Sequence, residues 1–138
     1  MDVIRRNTDY AIRSMVYLAS CNGKEAVSAK TIAESEGVPY QLACKLMQQL
    51  KKAKLIKSSM GAKGGFQLNR RPSRISLMEI IEIIQGPLEL NRCLLNLKAC
   101  ERVVNCPVRK KLAKMQKELN KELRKTKLSD LINRKSKR

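Results

Sequence analysis

Histidine is absent from this sequence, and so are the long apolar runs that a membrane helix needs. Without histidine, the chain lacks the side chain most often used for general acid–base catalysis near neutral pH. A Cys-x-x-Cys pair and a dinucleotide-binding glycine fingerprint are also missing. Apolar pairs such as Ile80-Ile81 are interrupted within a few residues, far short of the ~20 that span a bilayer. The sequence therefore predicts neither an enzyme with a small-molecule substrate nor a transmembrane protein. A small redox or cluster-transfer protein that uses the cysteines is the less favoured alternative.

Acidic and aromatic residues are scarce. Twelve Asp and Glu stand against 30 Lys and Arg, which gives a formal net charge of +18, and aromatics make up only 3%. Cationic proteins bind nucleic acid because neutralised phosphates release condensed counterions. Single-stranded bases need aromatic stacking platforms, which this composition does not supply. We therefore predict double-stranded DNA as the partner, with an anionic membrane surface as the alternative.

The start of the chain and its cysteine count indicate a compartment. Met1 is followed by charged residues rather than by the apolar segment of a signal peptide. Five cysteines are an odd number, which does not suit a closed disulfide framework, so the expected location is a reducing cytoplasm. With 138 residues and 43% hydrophobic content, the chain can form one compact domain, with or without an appended arm.

Hydrophobic periodicity predicts a short helix, a glycine turn and a longer helix between Ser28 and Lys52. Ser28 is expected to cap the short helix and Gly37 to end it, and the longer helix begins at Pro39. The longer helix buries one stripe and has Gln and Lys on its outer face. A helix-turn-helix requires this arrangement, because its second helix packs inward while offering donors to base edges. A solvated face on an ordinary amphipathic helix is the alternative.

A β-hairpin is predicted after this unit, with strands at 55–59 and 66–68 around a glycine-rich segment. In a DNA-binding protein this hairpin is a wing, whose glycines let the backbone approach phosphates. The segment lacks Walker A spacing, which argues against a nucleotide-binding loop. Base contacts are expected from Tyr40, Gln41 and Lys45. Phosphate or minor-groove contacts are expected from Ser28, Lys30, Lys57 and Lys63.

Two further helices complete a predicted winged helix-turn-helix domain at residues 1–86. Asn7 or Thr8 is expected to cap a first helix that begins at Asp9. Ser76 and Glu79 form a capping-box signature for a helix after the wing. That helix is apolar on more than one side, which predicts that it lies between the DNA-binding unit and another part of the molecule. The fold class is therefore mainly α with a small β-hairpin wing.

A long helix with a narrow apolar stripe is predicted after Pro107, within a C-terminal region at 107–138 that ends in a basic tail. Such a stripe needs a partner helix, which a two-fold homodimer supplies. Packing of the stripe on its own domain is the alternative. The residues of the stripe, and so of the predicted dimer interface, are Val108, Leu112, Met115, Leu119 and Leu123.

Three of the cysteines, Cys93, Cys100 and Cys106, lie in segment 87–106, which we interpret as a ligand loop. Thiolates favour zinc, copper(I) and iron–sulfur clusters, but the long gaps are unlike the usual spacing of zinc cysteines. A helix would turn Cys106 about 240° from Cys100, so an irregular loop brings the thiols together more easily. Cys106 precedes the long helix, whose positive dipole end favours an anionic cluster. A metal-free thiol switch is the alternative.

Several segments together resemble the Rrf2 family of winged-helix transcriptional regulators. They are 7–13, 38–40, 46–52, the wing 61–68, the helix entry 75–77 and the three cysteines. The resemblance covers nearly the whole chain and implies a homodimer that binds DNA through a helix-turn-helix and a wing. It also implies an iron–sulfur cluster on the three cysteines, which controls operator affinity in response to nitric oxide, iron, oxygen or redox state.

The resemblance leaves the fourth ligand of the cluster to be found. The chain has no histidine, and this departs from the histidine-ligated members of the family. Thr8-Asp9 resembles a pair in nitric-oxide-sensing members, in which the aspartate completes a 4Fe-4S site in the partner subunit. We carry that role to Asp9 as a hypothesis, which favours 4Fe-4S over 2Fe-2S. A first-turn acid stabilised by the helix dipole is the alternative for Asp9, and Glu101 and solvent are the other candidate ligands.

Overall fold

The computed structural model describes residues 2–21, 25–91, 94 and 105–132. Its elements are α1 (Arg6–Ser20), α2 (Ala29–Glu36), α3 (Tyr40–Lys52), β1 (Ile56–Ser59), β2 (Gly65–Leu68), a 3₁₀ turn (Pro72–Arg74), α4 (Leu77–Gln85), α5 (Pro107–Lys125) and α6 (Leu128–Leu131). The predicted fold class is confirmed: the chain is mainly helical, with a two-stranded antiparallel wing and a long C-terminal helix. Cys93, Cys100, Glu101 and the basic tail lie outside the described residues.

The main core forms where α1, α3 and α4 meet. Met15 of α1, Leu46 of α3 and Ile80 of α4 are at most 1% exposed and belong to one apolar cluster. Full burial of each such side chain stabilises the fold by roughly 1.5–3 kcal/mol. Leu128 of α6 is fully buried in the same cluster. The segment that follows the long helix therefore completes the core of the winged helix.

Backbone hydrogen bonds fix that segment in place. The Leu77 amide donates to the Thr126 carbonyl over 2.9 Å, and the Leu128 amide donates to the Ile75 carbonyl over 3.0 Å. Ser76 and Lys127 form an isolated antiparallel bridge between these bonds. The C-terminal end of α5 is thus joined to the N-terminal end of α4.

Helix α4 contributes to two apolar clusters, as its all-round hydrophobicity predicts. Ile80 faces the main core, whereas Met78 and Ile81 pack with Leu88 and Leu123 in a second cluster under the long helix. The predicted capping box at the start of α4 is also confirmed, because the Ser76 side chain accepts a hydrogen bond from the backbone amide three residues later. Helix α4 therefore separates α3 from α5.

Helix α1 begins earlier than predicted. Its N-cap is Arg5, whose side chain makes no capping bond, and Thr8 lies fully buried inside the first turn. The predictions of a cap at Asn7 or Thr8 and a start at Asp9 are therefore wrong. The Thr8 hydroxyl has no hydrogen-bond partner among the described residues.

A side chain from α4 explains the early start of α1. The Gln85 amide accepts a hydrogen bond from the Arg5 backbone over 3.0 Å and donates to the Val3 carbonyl over 3.0 Å. These two bonds hold the N-terminal arm against the end of α4. The arm then enters α1 at Arg6, one residue after the amide that Gln85 holds.

Candidate DNA-binding surface and cysteine site

The helix-turn-helix is built by two local signals at the ends of α2. The Ser28 hydroxyl accepts a hydrogen bond from the Thr31 amide over 3.1 Å and so caps the helix. Gly37 ends it with a φ of 65°, in the left-handed region where glycine has no steric penalty. Val38 is buried directly after the turn and directs the chain into α3.

Helix α3 has a buried face and an exposed face, as predicted for a recognition helix. Tyr40 is 57% exposed, and Gln41 and Lys45 are also exposed, so the three predicted base contacts lie together at the start of α3. Their hydroxyl, amide and ammonium groups are the donors and acceptors that base edges in a major groove can bind. The buried face consists of Ala43, Leu46, Met47 and Leu50.

Tyr40 is paired with Cys44 one turn further along α3. The pKa of Tyr40 is raised by the side-chain hydrogen bond with Cys44, by the charge of Cys44 and by burial, in that order. A phenol is already protonated near neutral pH, and the raised pKa of Tyr40 keeps it so. In this form it can both donate and accept a hydrogen bond at a base edge.

The wing is a short antiparallel hairpin in which Ile56 pairs with Leu68 and Ser59 with Gly65. At Gly64 and Gly65 of the wing, neighbouring backbone atoms leave no room for a side chain. A Cβ on Gly64 would lie 2.4 Å from the Ser59 carbonyl oxygen, and a Cβ on Gly65 would lie 2.5 Å from the Val27 backbone. In this structure these two glycines therefore let the chain's own backbone segments approach each other, within the hairpin and at Val27.

A two-residue bridge connects the wing to the start of α2. The amides of Val27 and Phe66 donate to each other's carbonyls over 2.8 and 2.7 Å. Ser28 and Lys63, both predicted to contact phosphates, line one open groove, to which Tyr17 and Cys21 at the end of α1 and the carboxylate of Glu25 also contribute. The two other predicted phosphate contacts, Lys30 on α2 and Lys57 on β1, are exposed.

The apolar stripe of α5 is divided between two environments. Leu123 is only 7% exposed and packs against α4, and Leu119 borders the same cluster. These two residues therefore make contacts within their own chain. Val108 and Met115, by contrast, are 62% and 45% exposed, with half-buried Leu112 between them. The N-terminal half of the stripe remains available to a partner.

Among the three cysteines of the predicted loop, Cys106 lies within the described residues. It is the N-cap of α5, half-buried, and its sulfur accepts a hydrogen bond from the Arg109 backbone amide over 3.4 Å. Asp9 lies in the first turn of α1, where its carboxylate is 3.2 Å from the Arg13 guanidinium. In the described ranges, which omit Cys93 and Cys100, no three potential ligands converge on a metal position.

Comparison with known proteins agrees with this architecture. The sequence profile of the Rrf2 family, described as iron-dependent transcriptional regulators, matches residues 4–134. The chain belongs to the Rrf2 family. A protein of Aquifex aeolicus described as an HTH-type transcriptional regulator is 29% identical over 126 residues, which cover 90% of this chain and 87% of that relative.

Two solved structures extend the comparison of this Rrf2 chain to three dimensions. T. potens IscR superimposes with a TM-score of 0.75 at 28% identity, covering 93% of this chain and 84% of that one. CymR, the global cysteine regulator of B. subtilis, superimposes with a TM-score of 0.78 at 27% identity, covering 95% and 96%. The family and these relatives are transcriptional regulators rather than enzymes, and Rrf2 winged-helix regulators bind DNA.

One electrostatic signal of the Rrf2 surface was missed by reasoning from motifs. Between Glu36 and Glu79 there is no acidic residue, so the turn, the recognition helix and the wing form an acid-free region. The basic residues of such a region attract the phosphate backbone, while Arg70 is paired with Glu79 and Glu25 lies beside the wing. Its nine basic residues are Lys45, Lys51, Lys52, Lys54, Lys57, Lys63, Arg70, Arg71 and Arg74.

Gln116 is a second residue that sequence reasoning missed. It lies on α5 beside the apolar stripe and is only 7% exposed. Its amide nitrogen donates to the Leu88 carbonyl over 2.7 Å and to the Asn120 side chain over 2.8 Å, and its oxygen accepts from the Leu90 amide over 2.8 Å. The only signal in the sequence is an uncharged polar residue next to the stripe, among many Lys and Glu. Gln116 attaches the start of the cysteine segment to the long helix.

The described helices were also compared with the requirements of a membrane span. None of them, over the ranges the structure describes, is both long enough and apolar enough to cross a bilayer. In α5, the longest of them, basic residues recur along the whole helix.

Proposed function

We propose that this Rrf2 protein is a dimeric transcriptional regulator whose affinity for operator DNA is controlled by an iron–sulfur cluster. The observation that carries the DNA-binding part is the exposure of Tyr40, Gln41 and Lys45 on one end of α3, beside an acid-free wing. In the proposed complex α3 enters a major groove, and Ser28 and Lys63 bind phosphates from their shared groove.

The proposed dimer forms through the exposed half of the stripe on α5. Within the described residues, Val108 and Met115 are exposed and Leu112 is half-buried, so this part of the stripe is an apolar surface that is only partly covered. Two copies related by a two-fold axis would bury it and place two recognition helices about one turn of DNA, ~34 Å, apart. The two recognition helices would then contact paired half-sites.

Cys93, Cys100 and Cys106 are the proposed cluster ligands, and the description of the family as iron-dependent supports this assignment. When bound, an iron–sulfur cluster supplies a centre that reacts with oxygen or nitric oxide and responds to iron supply. The geometry at Cys106 fits such a ligand, because the sulfur accepts a backbone hydrogen bond at the positive end of α5. Asp9 of the partner subunit is the proposed fourth ligand of a 4Fe-4S site.

The fold offers a route by which the state of the cysteine segment can reach the DNA-binding unit. Gln116 attaches the start of that segment to α5, and Cys106 forms the first turn of the same helix. The far end of α5 is bonded to the start of α4 through Thr126 and Leu128. In the proposed mechanism, Cys93, Cys100 and Cys106 would hold the cluster and so keep α5 in one orientation, and their release would shift the population toward another spacing of the recognition helices.

A metal-free thiol switch is the second candidate. It is favoured by the structural similarity of this chain to CymR, a cysteine regulator. This similarity is as close as the similarity to IscR. Oxidation of two thiols to a disulfide, with transfer of two electrons to an oxidant such as peroxide, would also change the geometry of the segment. This candidate uses the same cysteines and the same DNA-binding surface.

Anaerobic reconstitution with ferrous iron and sulfide, followed by iron and sulfide assays, tests the proposal. The reconstituted and metal-free proteins are then titrated, at one fixed salt concentration, against a duplex selected from a random library. We expect stoichiometric sulfide and an affinity difference of at least about fivefold between the two forms. The Cys106→Ser variant should lose both effects, whereas Cys21→Ser, a half-buried cysteine outside the segment, should keep them.

Two results would contradict the cluster. Stoichiometric zinc without sulfide would identify a different metal site. DNA binding that responds to peroxide and dithiothreitol, but not to reconstitution, would establish the thiol switch instead. Absence of duplex binding in every form would remove both candidates.

A further inference from the structure

The outer side of α5 carries a second basic surface, separate from the recognition helix and the wing. Six Lys and Arg recur along it at intervals of three, four or one residues, and all six are exposed. None of them forms an ion pair with a carboxylate within the described ranges. We name this set the α5 basic stripe; its members are Lys110, Lys114, Lys117, Lys121, Arg124 and Lys125.

Helical geometry places these six side chains on one face. With 3.6 residues per turn, they fall within an arc of roughly 100° around the axis. Glu118 and Glu122, the acidic residues of α5, fall outside that arc. The stripe extends from Lys110 to Lys125, a distance of about 22 Å along the helix. It is therefore a continuous cationic edge without an acidic interruption.

The stripe faces away from the rest of the chain. Leu119 and Leu123 pack against α4 from the opposite side of α5, and Val108 and Met115 lie on the flank proposed for the dimer. Because α4 lies between α3 and α5, the stripe and the recognition helix point in different directions. The stripe and the exposed face of α3 are therefore two separate basic surfaces.

We propose that the α5 basic stripe binds a second segment of duplex DNA while the recognition helices bind the first. Duplex DNA carries one phosphate charge per ~1.7 Å of its axis, so a 22 Å edge faces about a dozen charges. Six unpaired cations on a rigid helix complement this density. The inference goes beyond the proposed function, because the stripe itself uses neither the cluster nor α3, and it rests on that function only for the binding of the first duplex.

The alternative occupant of a basic helix is an anionic membrane. Helices that lie in a membrane interface bury an apolar face beside their cations. In α5 the C-terminal half of the apolar stripe is already packed on α4, through Leu119 and Leu123. The basic stripe itself contains no apolar side chain that could enter the acyl region. The chemistry of this surface therefore favours phosphates on a stiff polyanion.

A bridging experiment with the full-length protein tests the proposal. A duplex selected from a random library is immobilised and saturated with protein, and a second, fluorescent duplex of random sequence is then added. We compare the wild type with a variant that carries K110Q, K114Q, K117Q, K121Q, R124Q and K125Q. Glutamine has a helix propensity close to that of lysine and arginine, so α5 is preserved, as circular dichroism can verify.

The neutralised variant should bind the immobilised duplex within about twofold of the wild type and retain the second duplex at least about tenfold less well. A variant with the five lysines of the stripe replaced by arginine is the matched control and should bridge normally. Vesicles containing phosphatidylserine, offered in place of the second duplex, should not be retained.

Three outcomes would overturn the inference. The first is that the neutralised variant retains the second duplex as well as the wild type does. The second is that, in the neutralised variant, binding to the two duplexes falls in parallel, which would assign the stripe to the first site. The third is that the wild type retains phosphatidylserine vesicles in preference to DNA. Failure of the wild type to bind the selected duplex would refute the proposed function, whereas random duplex could still be used to measure the stripe.

Discussion

The side-chain nitrogen of Gln116 lies 2.7 Å from the carbonyl oxygen of Leu88, and this buried hydrogen bond joins the long helix to the chain that enters the cysteine segment. The oxygen of the same amide accepts a hydrogen bond from Leu90. One side chain thus forms hydrogen bonds with two backbone groups of a segment that has no regular secondary structure. Removing a partner from a buried hydrogen bond costs more than the bond itself contributes.

Replacing Gln116 with leucine should lower the free energy of unfolding by about 2–4 kcal/mol, because the Leu88 carbonyl and the Leu90 amide lose their partner. Urea denaturation measures this change. Lys117→Leu, at the exposed neighbouring position, is the control and should stay within about 0.5 kcal/mol of the wild type. Equal effects at the two positions would mean that Gln116 is not a structural link.

Two buried hydroxyl groups of α1 should respond in opposite ways. Thr8 has no hydrogen-bond partner in the described structure, so Thr8→Val should be neutral or stabilise the fold by about 1 kcal/mol. Ser14 donates to the Tyr10 carbonyl over 2.8 Å, so Ser14→Ala should destabilise it by about 0.5–1.5 kcal/mol. Thermal unfolding of the two variants provides the comparison. A loss of stability in Thr8→Val would indicate that its hydroxyl is satisfied.

Lys45→Ala should weaken binding to the selected duplex by about 1–3 kcal/mol, the typical value for a direct base contact. Lys51→Ala, at another exposed position of α3, should have a smaller effect. Fluorescence anisotropy on the selected duplex and on random DNA gives both affinities. An equal loss on the two duplexes would assign Lys45 to a phosphate instead.

Asp9→Asn should alter the visible spectrum and the stability of a reconstituted cluster while leaving the protein fold unchanged. The Asp9–Arg13 ion pair is about half exposed, and such i,i+4 pairs contribute only about 0.3–0.5 kcal/mol. Arg13→Gln removes the same pair but keeps the carboxylate, so it should leave the spectrum unaltered. If both variants change the spectrum alike, the ion pair rather than ligation is responsible.

Met115→Glu should convert the proposed dimer to a monomer, because a carboxylate would be buried in the apolar interface without a partner. Met60, which is 99% exposed at the tip of the wing, offers a matched control. Met60→Glu should leave the sedimentation coefficient unchanged. A dimer that survives Met115→Glu would place the interface elsewhere.

Local signals in the sequence predicted the helix-turn-helix well. The Ser28 cap and the Gly37 stop act within one turn of α2, and the structure has both at the predicted positions. The start of α1 could not be predicted in this way. It depends on Gln85, whose contacts with the N-terminal arm join residues 80 or more positions apart.

Periodicity identified the apolar stripe of α5 but not what covers it. The spacing of Leu123 is the same whether it meets α4 of its own chain or a second copy, and only the tertiary structure distinguishes them. For the candidate ligand set, the sequence supplied the residue types and the resemblance supplied their roles. The structure adds the helix-terminal position of Cys106 and the ion pair of Asp9.

The burial of Leu128 among side chains of α1, α3 and α4 also bears on how the protein is made. Because a chain is synthesised from its N-terminus, the winged helix waits for nearly its whole sequence before its last core residue is available. A product that stops before this residue leaves a hole in the centre of the domain. A chain truncated before Leu128 is therefore expected to have a less stable winged helix.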